Sequence, residues 1–100
     1  MESGQDVAAA FLAKCHRSSK ESMSSITLAA IALRWARQRG FYLAVGSADI
    51  IGAALKLGFP CEPCRAPSNV VMIGISRRDV NRLRTDTAQI EVAALTKSLR

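Results

Sequence analysis

The residues best equipped for chemistry are Cys61 and Cys64, in the run "GFPCEPCRAPSNVVMIGIS" at positions 58–76. Cys-x-x-Cys is the spacing of a zinc knuckle or of a redox pair, and the two uses make different demands. A structural zinc ion needs four ligands, and Cys15 and His16 are what remains to complete the set. Those two are neighbours in a predicted helix and so point about 100° apart around its axis, an awkward arrangement for a single ion. A thioredoxin-type pair opens a helix, whose N-terminus lowers the thiolate pKa. Here "CEPC" is followed by turn residues and then a strand. Cys61 and Cys64 are therefore read as small, half-buried side chains on one arm of a hairpin, with zinc ligation as the alternative. Apart from that zinc, no cofactor is expected.

Other catalytic arrangements are absent from the sequence. There is no H-E-x-x-H, no phosphate-cradling glycine loop and no G-x-S-x-G. "GSADIIG" is too sparse in glycine for a dinucleotide fingerprint, and the lone His16 beside Cys15 diverges from it on a helix. Paired carboxylates for acid–base work are scarce, and Asp49 and Asp79 are already explained as first-turn helix residues. The chain reads as a non-catalytic protein.

Partner chemistry comes from the charge. The net charge of +6 is unevenly placed: residues 1–33 and 85–100 each balance to zero. Within residues 34–84, nine cations (Arg34, Arg37, Arg39, Lys56, Arg65, Arg77, Arg78, Arg82 and Arg84) face only Asp49, Glu62 and Asp79. Eight of the nine are arginine, whose planar fork suits phosphate oxygens better than a lysine point charge does. A neutral head and tail around a basic middle points to a polyanion. The plain alternative is a solvated, soluble surface.

With 100 residues and 49% hydrophobic composition, the chain builds one core and is not generally disordered. The longest apolar stretch, Ile26 to Leu33, falls far short of the roughly 20 residues a bilayer span requires. Val7–Ala13 is apolar but follows Glu2 and Asp6 rather than positive charge, unlike a signal peptide. Three cysteines suit a reducing compartment better than a disulfide framework. The expected location is cytoplasmic, on the nucleoid if the partner is DNA.

The elements that would position these residues follow from periodicity. A first helix is predicted from about Asp6, its cap, to Cys15, with Val7, Phe11, Leu12 and Cys15 on one stripe. "RSSKESMSS", residues 17–25, is polar and aperiodic and reads as a loop or linker. A second helix, capped by Ser24 or Ser25, buries Leu28, Ile31, Ala32 and Trp35 and stops at Gly40. "FYLAV", residues 41–45, is β-prone. Ser47 then caps a third helix that runs through about Leu57 with Ile50, Ile51, Ala54, Leu55 and Leu57 apolar, and Gly58 ends it. Asn69 to Ser76 is a strand, "RAPSN" a turn, and Phe59 to Arg65 the returning arm, confined to an edge by Pro60 and Pro63. Ser76 and Asp79 open a further helix, and Asp86 or Thr87 recaps a final segment to Leu99.

From Ser25 to Ser76 the order is helix, short link, short helix ending in "LGF", strand, turn, strand. This order resembles the winged helix-turn-helix domains, over about half the chain. The resemblance implies an α+β fold: a small helical domain with a β-hairpin, plus a C-terminal helix. It divides the chain into an N-terminal helix and polar linker (1–24), a winged-helix-like core (25–84) and a C-terminal dimerisation element (85–100). It also implies a recognition helix in the major groove, with Ser47, Ala48, Gly52 and Lys56 on or near the groove side, and a wing tip at Arg65, Ser68 and Asn69. A rival reading takes "FYLAV" as a true strand and resembles Alba-type chromatin proteins, which usually begin with another strand.

Both resemblances imply the same partner. The expected activity is electrostatic docking on nucleic acid, duplex DNA in the first instance. Arg34, Arg37, Arg39, Lys56, Arg65, Arg77, Arg78 and Arg82 would meet phosphates, while Ser47, Ser68 and Asn69 sample the grooves. The alternative is a small adaptor whose basic face meets an acidic protein, again with the C-terminal helix pairing two copies.

Overall fold

The computed structural model of the protein describes the backbone of residues 3–63 and 70–98, and the side chains of residues 3–62 and 70–87. Among the described residues it is a small α+β domain of four helices and one three-stranded antiparallel sheet.

Helix α1 spans Gly4–Leu12. Its cap is Ser3, whose Oγ accepts the Asp6 N–H at 3.2 Å while the Ser3 N–H donates to Asp6 Oδ2 at 3.0 Å. Asp6, expected as the cap, is thus the distal partner of a reciprocal box. Val7, Phe11 and Leu12 turn inward as the stripe requires, with Cys15 just beyond them.

The serine-rich segment corrects the loop reading. Arg17–Ser24 is strand β1, antiparallel to the later strand Val71–Ile75, with Ser22 opposite Gly74, Met23 opposite Ile73 and Ser24 opposite Met72. Its register shifts between Arg17 and Ser22, where Ser18 Oγ accepts the Lys20 and Glu21 N–H groups at 3.2 and 3.0 Å. The strand exists because its backbone groups find a partner. Its own side chains, apolar only at Met23, bury little.

Helix α2, Ser25–Arg37, is capped by Ser24, whose Oγ accepts the Thr27 N–H at 3.1 Å. It stops where expected: Gly40, at φ +86°, lets the Phe41 N–H reach back to the Ala36 carbonyl at 3.0 Å. Residues 41–45 are not a strand. Both flanks of the central strand are already taken, so these residues simply carry the chain to the next helix, with Val45 buried and Tyr42 80% exposed.

Helix α3 spans Ser47–Leu57. Its cap is Gly46, whose N–H donates to Asp49 Oδ2 at 2.9 Å, and not Ser47 as expected. Strands β2 (Cys61–Pro63) and β3 (Val71–Ile75) form the antiparallel pair, with Cys61 opposite Ile73 and Pro63 opposite Val71. The sheet order β1-β3-β2 leaves the proline-bearing arm on an edge, as its missing donors demand.

Helix α4 runs unbroken over Arg77–Ser98. The second start expected near Asp86 or Thr87 is absent, and the Thr87 hydroxyl instead donates to the Leu83 carbonyl one turn back at 2.9 Å. The core beneath these elements is aliphatic and alanine-rich around one aromatic pair, Phe11 and Trp35, edge to face at 5.6 Å.

Candidate nucleic-acid interface

Two surfaces compete for the role. The first is the outward side of α3. Ile50, Ala53 and Ala54 face the core, which turns Ala48, Leu55 and Lys56 to solvent with Ile51 half-buried beside them. Ser47, expected to read a groove, is drawn inward: its Oγ lies 2.6 Å from Ser25 Oγ, and Ser25 also accepts the Val71 N–H at 3.1 Å. Gly52 lies against Gln5 of α1, since a side chain there would meet the Gln5 amide at 3.2 Å. Leu55 is 63% exposed. This face therefore offers one cation, Lys56, and few groups that hydrogen-bond base edges.

The second surface is built by α2 and α4. Arg34 and Arg84 line one hollow; Arg77 and Arg84 line its neighbour. The remaining arginines diverge from it. Arg39 folds back on its own helix, with its guanidinium 4.5 Å above the Trp35 ring and Nη1 donating to the Trp35 carbonyl at 3.0 Å. Arg82 donates to the Lys14 carbonyl at 3.4 Å and stands 3.9 Å from Asp79. Arg37 and Arg78 are exposed and line neither hollow. Arg65, Ser68, Asn69 and Cys64 lie outside the described residues.

Sequence reasoning counted Arg84 among the basic residues without choosing it for the site. It passed over Asn81 and Thr27 altogether. Arg77, Asn81 and Arg84 recur at four and then three residues on α4, one helical face. That spacing was the available signal.

A third constellation joins α4 to the α1–β1 corner. Asp79 is 7% exposed, and its Oδ2 accepts the His16 backbone N–H at 2.9 Å, with His16 Nδ1 2.8 Å away. The ring bond needs the tautomer protonated at Nδ1, or the imidazolium. These bonds, the backbone one first, hold the Asp79 carboxyl below its ordinary 3.8. A depressed carboxylate stabilises the fold above its unfolded pKa, and that contribution is lost as pH falls below 3.8 through the folded value. Asp79→Asn should therefore lower the melting temperature at neutral pH by roughly 4–8 °C, about 1 kcal/mol of hydrogen bonding. It should also flatten the acid limb of a melting-temperature profile; an unchanged profile would show that this corner carries no stability.

Of the cysteines, Cys15 and Cys61 fall within the described residues. Burial pushes the Cys15 thiol up to about 11, and its Sγ donates weakly to the Phe11 carbonyl at 3.9 Å. Burial also raises Cys61, at the start of β2. Neither is in a disulfide, and among the described residues no three His, Cys, Asp or Glu side chains stand together as metal ligands. Among those residues, too, no helix is long and apolar enough to cross a membrane.

Comparison with protein-family models, curated proteins and solved structures gives no match to this chain.

Proposed function

We propose that this protein is a non-catalytic nucleic-acid-binding module of winged helix-turn-helix type, with duplex DNA as its partner. The observation that carries this reading is the place of β1. It lies between α1 and α2 and pairs with β3, and this supports the reading because many such domains carry a small extra strand beside the hairpin. With residues 41–45 outside any strand, the Alba-type order loses its defining element. The excess of arginine over residues 34–84 supplies the electrostatic term, and the C-terminal segment 85–100 is the element through which two copies would pair.

The outward side of α3 favours a second reading, docking on a protein, because Ala48, Ile51 and Leu55 form its centre. One titration separates the two. Labelled duplex DNA should bind at low salt, with log K falling against log salt at a slope of about −4 to −5 if roughly five phosphates are neutralised. Lys56→Ala should weaken binding while leaving the melting curve unchanged, since Lys56 is exposed. No binding at low salt would remove the nucleic-acid reading and leave the protein-docking one.

A further inference from the structure

Three arginines, Arg34, Arg77 and Arg84, are gathered along α2 and α4. Arg34, Arg84 and Thr87 line a hollow of about 150 Å³ together with Ile31. Arg84 is also a wall of the adjoining hollow, about 350 Å³, where Arg77 and Asn81 face Ser22, Ser24 and Thr27. The polar side chains are all guanidinium, amide or hydroxyl groups, and no carboxylate lines either hollow among the described residues. The Glu21 carboxylate, at the start of α4, accepts the Arg77 backbone N–H at 2.8 Å. The Arg77 guanidinium reaches over the end of β1, where Nη2 donates to the Ser22 carbonyl at 3.3 Å.

Such a lining is rich in donors and matches the unesterified oxygens of consecutive phosphates. Its place relative to α3 follows from helical geometry. Ser25 bonds to Ser47 of α3, and Arg34, nine positions on, points about half a turn away around α2. The groove therefore opens on the flank of α2 opposite the one that meets α3.

We propose that the α2–α4 groove is a second phosphate track, on the side of α2 away from α3, in which Arg34, Arg77 and Arg84 hold the sugar–phosphate backbone of the bound nucleic acid. The proposal rests on the nucleic-acid reading and adds to it a site that the recognition helix does not contain. A domain with two tracks grips two stretches of backbone at once, so its affinity depends on phosphate spacing more than on base sequence.

The test is a salt series, 50 to 200 mM, with a labelled duplex of about 20 base pairs. It compares the wild-type protein, Arg34→Gln/Arg84→Gln, and the equal-charge control Arg78→Gln/Arg82→Gln. The groove pair should weaken binding by about tenfold or more and make the log–log slope shallower by about 2, with a smaller change for the control. Equal losses from both pairs would mean that net charge alone acts, and would overturn the groove. Unchanged affinity and slope for the groove pair, while the wild type binds, would overturn it too. Failure of the wild type to bind at 50 mM would instead sink the nucleic-acid reading itself. Both groove residues are exposed, and should the pair melt early, Arg84→Gln alone carries the test with a slope change of about 1.

Discussion

Replacing Trp35 with alanine should bring the domain close to unfolding. Trp35 is 4% exposed and lies at the junction of α1 and α2, edge to face with Phe11, which is fully buried. Large-to-small changes at such sites cost about 3–5 kcal/mol, the lost transfer energy plus the cavity left behind. A small domain has only about 5–15 kcal/mol in total, so the loss consumes a large share of it. Arg39 adds a second consequence, because its guanidinium packs on the Trp35 ring at the end of α2 and would lose its platform. Trp35→Phe should be much milder. The indole Nε1 is buried and has no hydrogen-bond partner among the described residues, so phenylalanine surrenders contact area but no hydrogen bond. Urea titration followed by far-UV circular dichroism measures both. If Trp35→Ala unfolds at nearly the wild-type midpoint, the Phe11–Trp35 pair is not the centre of the core.

Much of this arrangement is legible in the residues, and the exceptions have physical causes. Helices α1, α2 and α3 announce themselves through apolar stripes and stop signals, since Gly40 and Gly58 are the two glycines at positive φ. Even there the caps slip by a residue or more: Ser3 replaces Asp6, and Gly46 replaces Ser47. Strand β3 is legible because Val71, Ile73 and Ile75 are β-branched and turn the same way. Strand β1 is not, because a strand made by pairing on an exposed edge needs no apolar alternation of its own. The converse error at residues 41–45 has the same root. An apolar, β-prone run becomes a strand only if a sheet edge is free beside it, and β1 and β2 occupy both flanks of β3.

Charge shows the same division between composition and geometry. The excess over residues 34–84 is plain in the sequence, yet the direction of each guanidinium depends on packing that spans the whole chain. Arg34 and Arg84, fifty positions apart, become neighbours only because α4 docks on α2. Arg39, five positions from Arg34, is drawn off by an indole ring. A search for periodic polar residues on α4 would have found the Arg77, Asn81, Arg84 face, but not the hydroxyls opposite it, which belong to a strand that the sequence hides.

The pairing of that hidden strand with β3 is a second sensitive place in the fold. Gly74 is buried in β3, the middle strand of the sheet, and a Cβ there would collide with the Ser18 carbonyl oxygen and sit 3.1 Å from Cβ and Cγ of Pro60. Ser18 presents backbone and Pro60 a closed ring, so neither neighbour can rotate aside. The Gly74 N–H meanwhile donates to the Pro60 carbonyl at 2.7 Å, which fixes the approach from the other edge. Gly74→Ala must therefore spread the sheet on both sides of its central strand. Overpacking of this kind costs about 1–3 kcal/mol, and the upper end is expected where the obstruction is backbone. The damage should be local before it is global: amide exchange should quicken first in residues 17–24, then across β3. Ser22 and Ser24 form one wall of the α2–α4 groove, so on the proposed nucleic-acid reading affinity should fall at temperatures where the helices remain folded. Should Gly74→Ala leave exchange in β1 untouched, the bulged strand does not lie as close to β3 as its register requires, and the three-stranded sheet would have to be redrawn as a two-stranded hairpin.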